Sequence, residues 1–316
     1  MKILFVENIS LDKDNPMSTL YPLRCNKIKE NINFDTYDIS KDYNKKENYT
    51  TVLFGARSIY LYKCYKGKEK IKLKSRIEKL LDIPKKYFLI QDMHPKTYGN
   101  IAELCNFLNI NKINVIFTFF NNSEAKTIRN LTPNCQHYHL PLHIDSTIFN
   151  FQNLEKKYDI LLYGSIHPRH YPFRNKLFNL LLANKTKYNI CYIEKPENFD
   201  PNKCEKGLAK LINESKLTIA TKSRYDYFVA KYLEIIFCKS LVAGNMATDG
   251  ISLFEDNYLK LDEKMTDQEI IEQIDQCLKN YENYTRKIEN MYDKSFLNYN
   301  MDNYVGKLLE ILTLKY

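Results

Sequence analysis

Two series of short apolar runs, separated by one polar stretch, constrain this chain more than any other feature. The first series is Lys2–Val6, Thr51–Phe54, Tyr87–Ile90, Val115–Phe119 and His137–Leu140. After Pro141–Phe149 and the polar Asn150–Lys157, the second is Tyr158–Tyr163, Tyr188–Ile193, Leu217–Ala220, Ser240–Ala243 and Tyr258–Leu261. Each run has the length of a buried strand. Segments such as Lys70–Leu81, Arg174–Leu182 and Asp267–Asn283 lie between them and carry apolar residues at i, i+3 and i+4, the helical period. Strand–helix alternation at this spacing predicts parallel sheets covered by helices on both faces. Two series joined by a polar link near residues 145–157 predict two Rossmann-like domains. Val305–Leu314 is apolar on one face and predicts a final helix.

At 316 residues, with 44% hydrophobic and 27% charged residues, the chain has room for two globular domains. No run approaches the ~20 apolar residues of a membrane span. The N-terminal Met1–Glu7 turns acidic too soon for a signal peptide and reads as a first strand. The eight cysteines are scattered without a C-x-x-C pair, so neither a zinc site nor a disulfide framework is indicated. Reduced thiols in a cytoplasmic compartment (a host's, for a virus-encoded chain) are expected. The net charge is +9. Abundant Lys, Asn, Ile and Tyr, few Gly and no Trp attribute most of it to an AT-rich genome. Attraction to an anion, whether sugar nucleotide, membrane surface or nucleic acid, is the other reading.

Four segments carry residues suited to chemistry. Ser223 to Gly244 reads as strand end, helix, turn and buried strand, with Asp226 and Glu234 eight positions apart, about 12 Å along a helix axis. Acids so spaced can accept hydrogen bonds from hydroxyls, while the open helix N-terminus faces phosphates. Ser223 and Asp226 also fit a capping box, in which Asp226 only closes the helix start and Glu234 is solvated. Tyr158–Ser165 is a strand ending in Gly164-Ser165, a tight turn that lets backbone approach a ligand. The following Arg169 and Arg174 could neutralise a diphosphate, or Arg174 could merely open the next helix in solvent. Lys222 and Arg224 follow the strand ending at Ala220 and are further phosphate candidates, or a charged loop. In the first half, Phe88–Ile90 runs into Gln91-Asp92-Met93-His94-Pro95. A carboxylate or imidazole at Asp92 or His94, near an acceptor hydroxyl, could serve as general base, or the histidine is a structural loop residue.

The pattern of Asp226, Lys231, Glu234 and the short strand to Gly244 resembles the donor-binding helix of GT-B glycosyltransferases, above all the CgeB-type and family-4-type enzymes. Asp226 stands where the common pattern has Glu, and Lys239-Ser240 replaces its Gly turn. Pro141-Leu142-His143-Ile144-Asp145 with Phe149 is similar to the segment that precedes the second domain in these enzymes, with His143 in place of Gly. The Gly164, Ser165, Arg169, Arg174 run is also similar to that of CgeB-type proteins. The resemblance implies an α/β GT-B fold, two Rossmann-like domains facing each other across a cleft. It divides the chain into an acceptor domain over 1–145, a donor domain over 157–300 and a helix over 301–316 crossing back to the first. It implies transfer of a sugar from a UDP- or GDP-linked donor to an acceptor hydroxyl of a glycan, lipid or protein, without cofactor or metal. Donor-binding residues would be Gly164, Ser165, Arg169, Arg174, Lys222, Ser223, Arg224, Asp226, Lys231 and Glu234. His94 and Asp92 would be catalytic. Peripheral membrane contact is compatible with the charge, and nucleic acid is disfavoured as a partner. An inactive sugar-nucleotide-binding module or partner subunit, and a nucleic-acid-directed glucosyltransferase, stay open as alternatives.

Motifs of other classes are missing. There is no P-loop, no G-x-G-x-x-G and no G-x-S-x-G elbow. Asp12-Lys13-Asp14 spells the metal-holding acid pair of GT-A transferases, but it lies in the loop after the first strand.

Overall fold

The computed structural model describes residues 2–7, 34–42, 48–55, 58, 67–90, 100–193 and 201–313. The chain divides into two compact units, Met1–Pro141 with Lys307–Tyr316, and Leu142–Gly306.

The first unit holds a six-stranded sheet of Ile3–Glu7 (β1), Phe34–Asp38 (β2), Thr51–Phe54 (β3), Lys85–Ile90 (β4), Val115–Thr118 (β5) and Gln136–His139 (β6), in the order β2-β1-β3-β4-β5-β6. Every pairing is parallel. Strands β1, β3 and β5 are buried along their whole length, as continuous apolar runs in a doubly covered sheet must be. Helices Lys68–Leu81 (α1), Ile101–Ile110 (α2) and Ser123–Leu131 (α3) lie between β3 and β4, β4 and β5, and β5 and β6. Asn100 and Asn122 start the latter two by accepting hydrogen bonds from free N–H groups of the first turn. Strand β2 escaped the sequence reading because Phe-Asp-Thr-Tyr-Asp sits at the sheet edge, mostly half-buried, and carries no apolar run. The order places a switch point between β1 and β3. There the buried Glu7 carboxylate occupies the space above Gly55, where a Cβ would lie 2.1 Å from Glu7 Oε2.

The second unit holds Tyr158–Tyr163 (β7), Ile190–Ile193 (β8), Ser215–Ile219 (β9), Leu241–Gly244 (β10) and Leu259–Lys260 (β11), ordered β11-β10-β9-β7-β8 and again all parallel. Its helices are Pro172–Ala183 (α4), Pro201–Asn213 (α5), Ala230–Phe237 (α6), Thr248–Phe254 (α7), Asp267–Lys279 (α8) and Thr285–Tyr299 (α9). Met301–Thr313 (α10) begins in this unit and runs into the first. The two-residue period of a strand sends alternate side chains of β7 to opposite faces. Ile160 and Leu162 pack with Phe173, Leu177, Ile270 and Ile274 on one side. Leu161 and Tyr163 pack with Tyr232, Leu233 and Phe237 on the other. Helix α8 opens on a capping box of Thr266 and Glu269 and stops at Lys279, where the expected continuation to Asn283 becomes a 3-10 turn over Tyr281–Tyr284.

Among the described residues no helix is long and apolar enough to cross a membrane. Cys105, Cys135, Cys191, Cys238 and Cys277 are unbridged thiols, and burial pushes Cys105 and Cys277 up to about 11.

Candidate functional site

In the second unit, β7 is followed in sequence by β8 on one side of it and β9 on the other, so the switch point lies between β7 and β9. Open α/β sheets bind ligands outside the carboxyl ends of strands at such a point. Here those ends are Tyr163-Gly164-Ser165 and Ala220-Thr221-Lys222-Ser223, with Gly244-Asn245 beside them.

Gly164 turns the chain at φ 84, and a Cβ there would stand 2.8 Å from Lys231 Nζ. Lys231 rises from the first turn of α6 and is buried. Its ammonium donates to the Tyr163 carbonyl and lies 3.6 Å from the centroid of the Tyr163 ring. Burial, then the nearby Arg174 charge, push Lys231 well below the ordinary lysine range, against the pull of Glu234. Glu234 stands one turn further along α6, and the Tyr163 hydroxyl donates to its Oε2 at 2.8 Å. Burial, followed by the Glu234 charge, holds the Tyr163 hydroxyl well above its ordinary value, so it stays protonated.

Arg174, in the first turn of α4, is 3% exposed. Its guanidinium donates to Thr221 Oγ1 at 3.2 Å, to the Thr221 carbonyl at 2.9 Å and to the Ser165 carbonyl at 3.1 Å. It also stacks 4.0 Å over Tyr171. Arg174 is therefore not the solvated helix opener of one sequence reading. It ties the carboxyl ends of β7 and β9 together, and burial pulls its affinity for a proton down.

The outer loops carry the exposed cations. Arg169 and Arg224 are exposed and adjacent: the Arg224 backbone N–H donates to the His170 carbonyl at 2.9 Å, and its guanidinium approaches the Arg169 carbonyl at 3.5 Å. The His167 and His170 rings lie 5.1 Å apart, with Tyr225 beyond His170 at 6.3 Å.

The helix expected to carry both acids starts at Ala230 and carries only Glu234. Asp226 lies in the preceding turn at φ 57, a conformation that short polar side chains tolerate. Its carboxylate accepts from the Thr248 backbone N–H at 3.2 Å and from the Thr248 hydroxyl, satisfying the start of α7, and pairs with Lys222 at 3.3 Å. The alternative capping box does not form either. Ser223 Oγ accepts from the Tyr225 N–H at 3.2 Å and closes a local turn. Both expectations fail for one reason: the segment from Ser223 to Val229 spends its polar side chains on turns and on a different helix.

The described site therefore has three parts. Gly164, Ser165, Arg174, Lys231 and Glu234 converge with Tyr163 and Thr221. Lys222 and Asp226 meet Thr248 and Asn245, whose Oδ1 accepts from the Lys222 N–H at 3.1 Å. Arg169 and Arg224 share a loop surface with the two histidines. The sequence reading missed Tyr163, Thr221 and Asn245; each is the last residue of a strand or follows within two positions, which was the available signal. Asp92 and His94 lie outside the described residues. Among the described residues no three His, Cys, Asp or Glu side chains gather as a metal site would require.

No protein-family model matches the chain, and no curated protein matches it in sequence. Solved structures do. Sucrose-phosphate synthase from Thermosynechococcus elongatus superposes with TM-score 0.65 at 9% identity, over 99% of this chain and 98% of that one. An alpha-glucosyltransferase in complex with UDP-glucose and DNA containing an abasic site gives 0.61 at 11% identity, over 99% of both chains. The chain has the GT-B fold. Anabaena Alr3699/HepE in complex with UDP-glucose, at TM-score 0.55 and 10% identity over 99% of both chains, is similar in the same way. The GT-B fold agrees with the pair of parallel sheets expected from the sequence.

Proposed function

We propose that this chain is a nucleotide-sugar-dependent glycosyltransferase of CgeB or family-4 type. The second unit holds a UDP- or GDP-linked donor, and the sugar passes to an acceptor hydroxyl of a glycan, lipid or protein. The observation that carries this reading is the convergence of Gly164, Arg174, Lys231 and Glu234 at the switch point of the second sheet. Gly164 and Ser165 offer close backbone approach for a diphosphate. Arg169 and Arg224 supply exposed charge to neutralise it as it leaves, which lowers the barrier to glycosyl transfer. Lys222, Ser223 and Asp226 line the same strand ends. Glu234 accepts the ribose hydroxyls. Two neighbours of the same fold, each in complex with UDP-glucose, support a sugar nucleotide as the co-substrate. In this reading residues 1–145 serve the acceptor, 157–300 the donor, and the helix over 301–316 returns to the first domain.

A nucleic-acid acceptor is the second reading, favoured by the neighbour bound to DNA and by the exposed Arg169 and Arg224. Binding to duplex DNA that weakens steeply with salt would support it.

Titration with nucleoside diphosphates and their sugars, with and without EDTA, tests the proposal. UDP or GDP should raise the melting temperature, sugar transfer should survive chelation, and Glu234→Ala should cost about 1.5–3 kcal/mol of nucleotide affinity. Unchanged affinity in that variant removes Glu234 from the site. Activity restored only by Mn²⁺ or Mg²⁺ counts against transfer without metal. Nucleotide binding without turnover on any acceptor favours the inactive binding module.

A further inference from the structure

Helix α6 grips Tyr163 at both of its polar ends. Lys231 and Glu234, three residues apart, lie on the same face of the helix. Lys231 donates to the Tyr163 carbonyl, and Glu234 accepts from the Tyr163 hydroxyl at 2.8 Å. The aromatic ring between them packs in the core with Leu161, Tyr232 and Leu233 and is 6% exposed. A carboxylate can only accept, so the direction of the tyrosine bond is fixed. The hydroxyl thereby fixes one oxygen of the glutamate head at the end of β7, beside Gly164. A group held before its ligand arrives loses less freedom on binding, and this raises affinity.

We infer that Tyr163 is a positioning residue that aims the Glu234 carboxylate at the ribose diol of the nucleotide and makes the site selective for ribose over sugars lacking those hydroxyls. The inference rests on the donor reading of Glu234 given above. The Tyr163 hydroxyl touches no substrate in this arrangement; it acts through Glu234. Because the hydroxyl remains protonated by virtue of its burial and its acidic neighbour, the contact persists across neutral pH.

The test compares calorimetric titrations of UDP and 2′,3′-dideoxy-UDP against the full-length protein, Tyr163→Phe, Glu234→Gln and the double variant, each with its melting temperature. Tyr163→Phe keeps the packed ring and removes one oxygen. It should weaken UDP binding about tenfold, the worth of a hydrogen bond to a charged group, and leave dideoxy-UDP within about twofold. In the Glu234→Gln background the same change should add little, because the two residues act as one unit. Equal weakening of both ligands by Tyr163→Phe, or of neither, overturns the positioning role and leaves Tyr163 a core residue. If Glu234→Gln retains the wild-type preference for UDP over its dideoxy analogue, the donor reading of Glu234 itself falls. A wild-type protein that does not distinguish the two ligands overturns both.

Discussion

Lys156 is a lysine whose chemistry depends on burial. Its ammonium donates to the Asn213 carbonyl at 2.8 Å, at the end of α5, and to the Lys239 carbonyl at 3.2 Å, just beyond α6. Burial lowers it to about 8 from an ordinary 10.5. Below pH 8 the group is charged in both folded and unfolded chains, and the full cost of burying the charge opposes folding. Between about 8 and 10.5 the folded chain sheds this proton first, so the stability traceable to Lys156 rises with pH. The difference in unfolding free energy between wild type and Lys156→Met, measured by urea titration at several pH values, should move in favour of the wild type across that window. A flat difference would place the lysine in water. Arg174 offers a different test. Its fork bridges Thr221 and Ser165, which a single ammonium cannot reproduce. Arg174→Lys should therefore destabilise the fold by about 1–3 kcal/mol and weaken nucleotide binding with it. A variant of wild-type stability that loses only nucleotide affinity would instead make Arg174 a direct ligand. The sequence placed Arg174 near a site but could not assign it a partner. Thr221 lies 47 positions away, and only the parallel pairing of β7 with β9 brings the two together.

The strands of both sheets were legible because buried parallel strands are written as continuous apolar runs. The exception, Phe34–Asp38, lies at an edge where half-buried positions tolerate acids. The start of α6 was not legible. Asp226 and Glu234 have helical spacing, but Ser223 and Asp226 bond to Tyr225 and Thr248, contacts that depend on where α7 lies. Lys239 illustrates the reverse. It belongs to the Lys239-Ser240 pair that replaces the glycine turn of the resembling pattern, and the backbone there has the left-handed φ of 51 that glycine favours. The Lys239 ammonium sits 4.6 Å from the Phe151 ring and 4.5 Å from that of Tyr292, and it pairs with Glu289. Gly244, at the end of β10, has no such latitude. A Cβ on it would stand 1.8 Å from the Ala220 carbonyl oxygen, and its φ is 149. The oxygen belongs to the adjoining strand end, so relief requires backbone movement at the site. Gly244→Ala should cost about 2–4 kcal/mol in denaturant unfolding, in the range of overpacking combined with backbone strain. A loss below about 0.5 kcal/mol would mean that the two strand ends separate freely.

A transfer reaction needs places for two substrates, and the chain carries two parallel sheets, each with its own switch point. The second sheet gathers Arg174, Lys231 and Glu234; the first presents the buried Glu7 at the end of β1. Strand β4 of the first sheet ends at Ile90, open sheets bind ligands beyond the carboxyl ends of their strands, and Asp92 and His94, outside the described residues, follow Ile90 in sequence. If nucleotide is held by the second unit and chemistry draws on the first, the two properties must separate on mutation. His94→Ala should then lower kcat by about 10²–10⁴-fold, the worth of a general base or of a contact made as the bond breaks, while nucleotide affinity changes little. A histidine that only supports its loop predicts the opposite pattern: a lower melting temperature with near-normal turnover per folded molecule. Measuring kcat, UDP affinity and melting temperature on one His94→Ala preparation separates the cases. A parallel fall in kcat and nucleotide affinity would bring His94 to the nucleotide itself. An unchanged kcat would pass the role to Asp92, where Asp92→Asn, which removes a base but keeps a hydrogen-bonding group, is the decisive variant.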